Sequence, residues 1–358
     1  MQTGLSLQKL AEEIQFVRQN KHDLIAPTSH FRMDVTPLPE VGAISMIEVD
    51  GQGSFNVSDL AHEQIASKLK IPRKYYQRML QEAPDLLEQS VNTWLKQHGG
   101  RHMLRTLSGN LRAVLSDAYR PLDNDMVAEA ALPVLLDHKN EIEVTSTKLT
   151  DKRLYIQAKT PQLQADIRSG DTVQAGVVIS NSEVGCGALN IETMIYRLVC
   201  ANGLIAAKAL RKTHLGRRVG SDDEAATYDM FKNDTIAADN HAFMLAVRDA
   251  VGAAFSEEVF TNQVNKMRAA AGVVLPANKV NDTVIALGNK YDLTELETEG
   301  VLERLIAGSD LTQYGLANAV TSLANSNDID YDRVVELERM GGSIIDMPER
   351  ELVTLYRS

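Results

Sequence analysis

The stretch LRTLSGNLRAVLSDAYRPLDN, residues 104–124, decides how the chain is read. Two short apolar runs, HMLRTL and LRAVLS, flank Ser108-Gly109-Asn110, a cluster of turn formers. That arrangement predicts a β-hairpin. Along its second strand Arg112 and Val114 share one face, and Leu111, Ala113 and Leu115 share the other. Pro121 breaks the run, and Asp123 or Asn124 is placed to cap the helix DNDMVAEAALPVLLDH. Met126, Val127, Ala130, Ala131, Val134 and Leu135 form the apolar face of that helix, and Pro133 should kink it because its nitrogen has no proton to donate.

On the N-terminal side, residues 1–41 read as one short helix and a polar segment. GAISMIEVDGQGSF, 42–55, alternates and then turns at glycine, which predicts a strand. VSDLAHEQIASKLKIP follows as a helix, with Ser58 as N-cap and Pro72 beyond its end. YYQRMLQEAPDLLEQSVNTWLKQHGG gives two more helices, broken at Pro84 and ended by Gly99-Gly100. On the C-terminal side, IEVTSTKL and RLYIQAKT pair around Thr150-Asp151. TVQAGVVISNSEVGCGALNIETMIYRLVC adds strands, with Gly185 and Gly187 marking a turn or bulge. Residues 142–200 are the expected heart of an antiparallel sheet. After Gly220 the apolar residues recur three or four apart, and Gly288, Gly308 and Gly341 are expected helix ends.

The fold class is therefore α+β: an antiparallel sheet of hairpins with packed helices over about 42–220, then a helical region. A chain of 358 residues, 44% hydrophobic, holds about two domains by the usual ~100–200 residues each. The acidic GSDDEAATYD, 220–229, is the expected boundary, giving 1–41, 42–220 and 221–358. No apolar run reaches the ~20 residues of a membrane span. The N-terminus lacks the apolar core of a signal peptide, so a cytoplasmic protein with no membrane partner is expected. Cys186 and Cys200 are then reduced core residues.

Charge is unevenly placed. The net charge is −11, but residues 221–358 carry 24 Asp and Glu against 11 Lys and Arg, which leaves +2 for residues 1–220. Lys68, Lys70, Arg73, Lys74 and Arg78 lie in an acid-free run beside Tyr75 and Tyr76. Arg101, Arg105, Arg112 and Arg120 lie on or near the hairpin, with Tyr119. Lys208, Arg211, Lys212, Arg217 and Arg218 form a second acid-free run with His214. Such cations release counterions from phosphates, and interleaved tyrosines stack on unpaired bases. The competing reading is that these are solvated faces paired with the acidic C-terminal half.

Other chemistry is sparse. The eight histidines are scattered, neither cysteine has a CxxC partner, and no structural zinc site is expected. Asp117, Asp123 and Asp125 have the chemistry to hold magnesium, against the simpler role of stabilising a helix start. No nucleophile elbow, phosphate-binding P-loop or dinucleotide fingerprint occurs, and no cofactor is expected.

Several motifs together resemble a family of phage- and plasmid-like proteins, domain of unknown function 932. They are FNVSDLAHEQIASKLKIPRKYYQRML, NTWL, LRTLSGNLRAVLSDAYRPLDN, VISNSEVGCGAL, YRLVCANGLI and LTQYGLANAVTSLAN…VVELERMGG, in order from about 50 to 345. The resemblance implies a bacterial or phage cytoplasmic protein of a mobile element and carries no activity. The order of hairpin, helix and further strands also resembles the core of Rad52-type single-strand annealing proteins. That likeness implies a ring-forming homo-oligomer holding single-stranded DNA in a basic groove.

The leading expectation is a non-enzymatic single-stranded nucleic-acid-binding or annealing protein in recombination or replication. Lys68, Lys70, Arg73, Lys74, Arg105, Arg112, Arg120, Lys208, Arg211, Lys212, Arg217 and Arg218 would contact phosphates. Tyr75, Tyr76 and Tyr119 would stack on bases. One alternative is a protein-interaction module, such as an inhibitor of host defence, docking a host or phage protein on the acidic C-terminal helices. The other is a metal-dependent nuclease using Asp117 and Asp123.

Overall fold

The computed structural model describes residues 5–38, 42–97, 99–137, 141–212, 233–326 and 329–355. After helix α1 (Leu7–Asn20) come strands β1 (Lys21–Pro27), β2 (Phe31–Leu38), β3 (Gly42–Val49) and β4 (Gly53–Val57). Helices α2 (Asp59–Lys68), α3 (Arg73–Glu82) and α4 (Pro84–Gln97) follow, then β5 (Arg101–Leu107) and β6 (Asn110–Ser116). The six strands form one sheet in the order β1-β5-β6-β4-β3-β2. Its pairs are antiparallel except β4–β6, where Asn56 and Val57 run parallel to Asn110 and Leu111. The expected hairpin is β5–β6, and both Ser108 and Gly109 take positive φ at its turn.

Residues 21–38 are two strands of this sheet, so the polar segment expected before residue 42 belongs to the fold. FRMDVTPL alternates strictly. Phe31, Met33 and Val35 are buried, while Arg32, Asp34 and Thr36 are exposed. The buried set meets Ala61 and Ile65 of α2, Tyr76 and Met79 of α3, and Leu87 and Val91 of α4. Strand β2 lies at the sheet edge, where unpaired backbone groups invite association. Here α4 satisfies them. Asn92 accepts from the Met33 N–H and donates to the Met33 carbonyl, each at 2.8 Å, and Glu88 accepts from the Val35 N–H at 3.0 Å.

The remaining elements form a second unit. Helix α5 (Asn124–Leu135) leads to β7 (Glu143–Leu149), β8 (Leu154–Asp166), β9 (Thr172–Asn181), β10 (Leu189–Arg197) and β11 (Asn202–Lys212). They pair as an antiparallel meander, order β11-β10-β9-β8-β7, which is the sheet expected over 142–200. Helices α6 (Asn233–Ala253), α7 (Glu257–Gly272), α8 (Val280–Lys290), α9 (Glu295–Ala307), α10 (Gln313–Ser322), α11 (Tyr331–Ile345) and α12 (Glu349–Leu355) complete the described chain. The expected boundary at 220–229 lies outside the described residues.

Both faces of this sheet are covered. Leu154, Ile156, Val177 and Ile179 pack with α1, α5 and α6 through Leu10, Ile14, Val127, Ala131, Val247 and Val251. Their strand neighbours Tyr155 and Val178 point the other way, onto Tyr331 and Val335 of α11. The unbroken run AGVVI within β9 and the near-complete burial of that strand follow from this double cover. At one end of the sheet, Val173, Ala175, Ile195 and Leu204 join the core of α7 to α12.

Gly288 and Gly341 do not end helices, contrary to expectation; both lie inside them. A Cβ on Gly288 would meet Thr298 Oγ1 at 2.6 Å, and one on Gly341 would meet Thr321 Cγ2 at 2.2 Å. A Cβ on Gly342 would lie 1.8 Å from the Ile205 carbonyl of β11, so α11 rests directly on the strand backbone. Gly308 does cap α9. Pro133 lies in the last turn of α5, two residues from its end.

Candidate anion-binding cleft at the junction of the two sheets

The β9–β10 loop, residues 182–188, carries SEVGCGA out of the second sheet and against the first. Met103, Ala113 and Leu115 of the hairpin pack with Tyr119 and Val184. Gly185 has φ +78°, and a Cβ there would strike Leu115 Cδ2 at 2.6 Å. The loop backbone is tied from both sides. Gln64 of α2 donates to the Val184 carbonyl at 2.8 Å, Tyr119 Oη donates to the Ser182 carbonyl at 3.1 Å, and Arg153 donates to the Cys186 carbonyl.

Beneath the loop lies a buried charge network. The Arg105 side chain is 1% exposed. It donates to Asp23 Oδ1 at 3.0 Å, to Asp123 Oδ1 at 2.7 Å and to the Glu183 carbonyl at 2.7 Å. Lys21 Nζ meets Asp123 Oδ2 at 2.7 Å. Glu183, 2% exposed, accepts from the Asn124 N–H at 2.7 Å and pairs with Arg112 at 3.2 Å. Burial opposes the Arg105 charge, but Asp123 and Asp23 outweigh it and hold the guanidinium above its usual range. Burial likewise opposes ionised Asp123, yet Arg105 and Lys21 keep its carboxyl below the ordinary value. Asp123 occupies the N-cap position of α5, but its side chain makes no cap bond; both oxygens serve the network. Asp117 is exposed on the turn after β6. Among the described residues no three His, Cys, Asp or Glu side chains are grouped to hold a metal ion.

Above the loop is a cleft of about 450 Å³. Gln64, Ser67 and Lys68 of α2 form one wall, and Val114, Leu115, Ser116 and Tyr119 form the floor. Gly185, Gly187 and Ala188 form the opposite wall, with Arg211 of β11. Among the described residues no carboxylate lines it. Two cations separated by 143 positions in the chain thus share one recess. Lys68 also influences His102, which burial and then the lysine charge hold below the ordinary imidazole value.

Of the other predicted contacts, Tyr119 lines the same cleft and the rest fall elsewhere. Tyr76 and Tyr119 are buried, at 2% and 5% exposed, and their hydroxyls bond internally, Tyr76 to His62 Nδ1 at 2.8 Å. Neither ring is open for a base to stack on, and buried Arg105 has no access to a phosphate. Lys70, Arg73, Lys74 and Tyr75 are exposed at and before the start of α3, with Arg73 paired to Glu63. Arg112 and Arg120 are half-buried. Lys208 and Lys212 lie on β11, and His214, Arg217 and Arg218 lie outside the described residues. Among the described residues, the carboxylates that pair with Arg73, Arg78, Arg105 and Arg112 are Glu63, Glu82, Asp23, Asp123 and Glu183, and none comes from the acidic C-terminal region. Cys186 and Cys200 are free and half-buried rather than core residues, and burial pushes the Cys186 thiol up.

Sequence reading missed Lys21, Asp23, Glu183 and Gln64. Glu183 alone left a signal, as an acid closing the apolar run of β9. A family model described as Domain of unknown function (DUF932) matches residues 112–329, from the third residue of β6 to just before α11. No curated protein and no solved structure matches the chain significantly.

Proposed function

Since the chain belongs to the DUF932 family, whose description assigns no activity, we propose from its own residues that it binds a single-stranded nucleic acid and performs no chemistry on it. The carrying observation is the cleft that joins Lys68 to Arg211, with no carboxylate among its described lining residues. Its volume falls in the ~300–1,000 Å³ range of small-ligand sites. A flexible strand enters a recess of this size at a phosphate and sugar, whereas a rigid duplex does not. Lys68 and Arg211 neutralise the phosphate, and the glycine-rich wall lets its oxygens approach the backbone. The role is annealing or strand protection in recombination or replication of a phage or other mobile element, in the bacterial cytoplasm.

Anisotropy of a labelled single-stranded oligonucleotide tests this. Binding is expected at ~50 mM salt and should weaken steeply by ~200 mM. Lys68→Ala and Arg211→Ala should each weaken it and lower the salt slope by about one ion. Absence of binding at low salt, indifference to salt, or unchanged affinity in the double variant overturns the proposal.

A further inference from the structure

A second, larger cleft of about 1310 Å³ opens between the two sheets, on the side of α2 away from Lys68. Its character is opposite. Phe16 of α1, 52% exposed, and Leu60 give it an apolar floor, while Glu12, Glu13, Asp59 and Asp151 stand around it. Glu63 and Arg112 also line it, but they are already paired, with Arg73 and Glu183. Against the four acids stand Lys9 and Lys152, so the lining keeps a net charge of −2.

The matching surface is on the same chain. Helix α3 buries only Tyr76 and Met79. Arg73, Lys74, Gln77 and Arg78 face solvent, and Tyr75 is 49% exposed. Lys70 is exposed just before it. The Arg78–Glu82 pair within the helix has side chains 71% and 61% exposed, so solvent weakens it and Arg78 can exchange partners. A basic helix with one aromatic anchor fits a cleft with an apolar floor and acidic rim. Within one molecule Arg73, at the start of the helix, pairs with Glu63 at the rim, while the body of the helix is packed on α4 and β3.

We propose that α3 of one copy seats in the α1–α2 cleft of the next, with Tyr75 on Phe16 and Leu60 and with Lys74 and Arg78 facing Glu12, Glu13 and Asp59. The surfaces in contact differ, so the association is head to tail and either closes as a ring or continues as a filament. The inference does not rest on nucleic-acid binding, since the Lys68–Arg211 cleft takes no part.

The test is light scattering on nuclease-treated protein without oligonucleotide, from about 1 to 100 μM. The average mass should rise with concentration at ~50 mM salt and return to the 39.4 kDa monomer at ~500 mM. Lys74→Ala with Arg78→Ala removes the helix contact, and Glu12→Gln with Glu13→Gln removes the cleft contact. All four residues are exposed. Each double variant should be monomeric. Mixed in equal amounts they should form a pair and nothing larger, because one intact helix and one intact cleft remain. Wild-type protein that stays at monomer mass overturns the proposal. So does association that survives in either variant, or a mixture that gives no pair.

Discussion

The five-stranded sheet carries helices on both faces, whereas the six-stranded sheet carries helices on one face and receives the β9–β10 loop on part of the other. Each unit also buries one titratable side chain in a state that suits its surroundings. In the first, His62 shares a hydrogen bond with Tyr76, and burial pulls its imidazole down to about 4. In the second, Glu338 accepts from Gln157 at 2.8 Å and from the Gly203 N–H at 3.3 Å, and burial pushes its carboxyl up to about 7. His62 is neutral above about pH 4, and Glu338 is neutral below about pH 7. The difference teaches that the two units lose stability in opposite directions of pH. Arg105 is the most buried of the charged groups that join them, with Lys21 and Arg112 beside it.

The largest break in this pairing should come from Arg105→Met. It leaves Asp23 and Asp123 without their buried cation and frees the Glu183 carbonyl. Removing one member of such a network costs about 3–5 kcal/mol. Trp94, the single tryptophan, lies in α4 of the first unit and reports on it alone. In urea its fluorescence transition should separate from the loss of helical circular dichroism. Coincident transitions with under ~1 kcal/mol lost would show that the network does not couple the units.

Next in size are the pH effects. Glu338 has a folded pKa above its unfolded value of 4.5, so its contribution is complete below 4.5 and is lost as pH rises through about 7. The loss amounts to at most ~3 kcal/mol. Glu338→Gln should flatten stability between pH 5 and 8 and raise it at pH 8. His62 has a folded pKa below 6.5, so its contribution is present above 6.5 and is lost as pH falls through about 4. His62→Gln should flatten only the acid side, seen in Trp94 fluorescence. An unchanged slope in either variant removes that group from the account.

Gly342→Ala sharpens the contrast within the second unit. The new methyl would collide with the Ile205 carbonyl, so α11 must move off β11 at a cost of about 2 kcal/mol, net of the gain in helix propensity. Thermal melting followed at Trp94 should shift less than melting followed by circular dichroism. The smallest effect should come from Asn92→Ala, which strips two hydrogen bonds from the β2 edge. A loss of about 1 kcal/mol is expected. A rise in aggregation rate, measured by turbidity, should exceed what that lost stability explains, because the edge is opened.

Local chemistry makes much of this fold legible in the sequence. Ser58 accepts from the Ala61 N–H as an N-cap, Pro84 starts a new helix, and Gly109 turns the hairpin. Long-range partnership was not legible. Arg105 reads as a surface cation because nothing nearby in sequence announces Asp23 or Glu183. Gly288 and Gly341 read as helix ends because their reason for being small sits on another element. The alternation in FRMDVTPL was present, and the polar residues between its apolar ones hid it. The Lys68–Arg211 cleft was half legible. Both residues stood out in their clusters, but only the fold of loop 182–188 places them together.

The loop that joins the sheets also sets an order of events in time. Arg105 and Glu183 lie 78 residues apart in the chain. At a synthesis rate of 5–20 residues per second, the arginine leaves the ribosome roughly 4–16 s before its last partner is made. During that interval β5 and β6 can pair and α2 to α4 can close over their inner face, but the guanidinium stays hydrated and the outer face stays open. The nascent chain therefore passes through a half-built form whose exposed side is held in water by one charge, until the second sheet arrives to cover it.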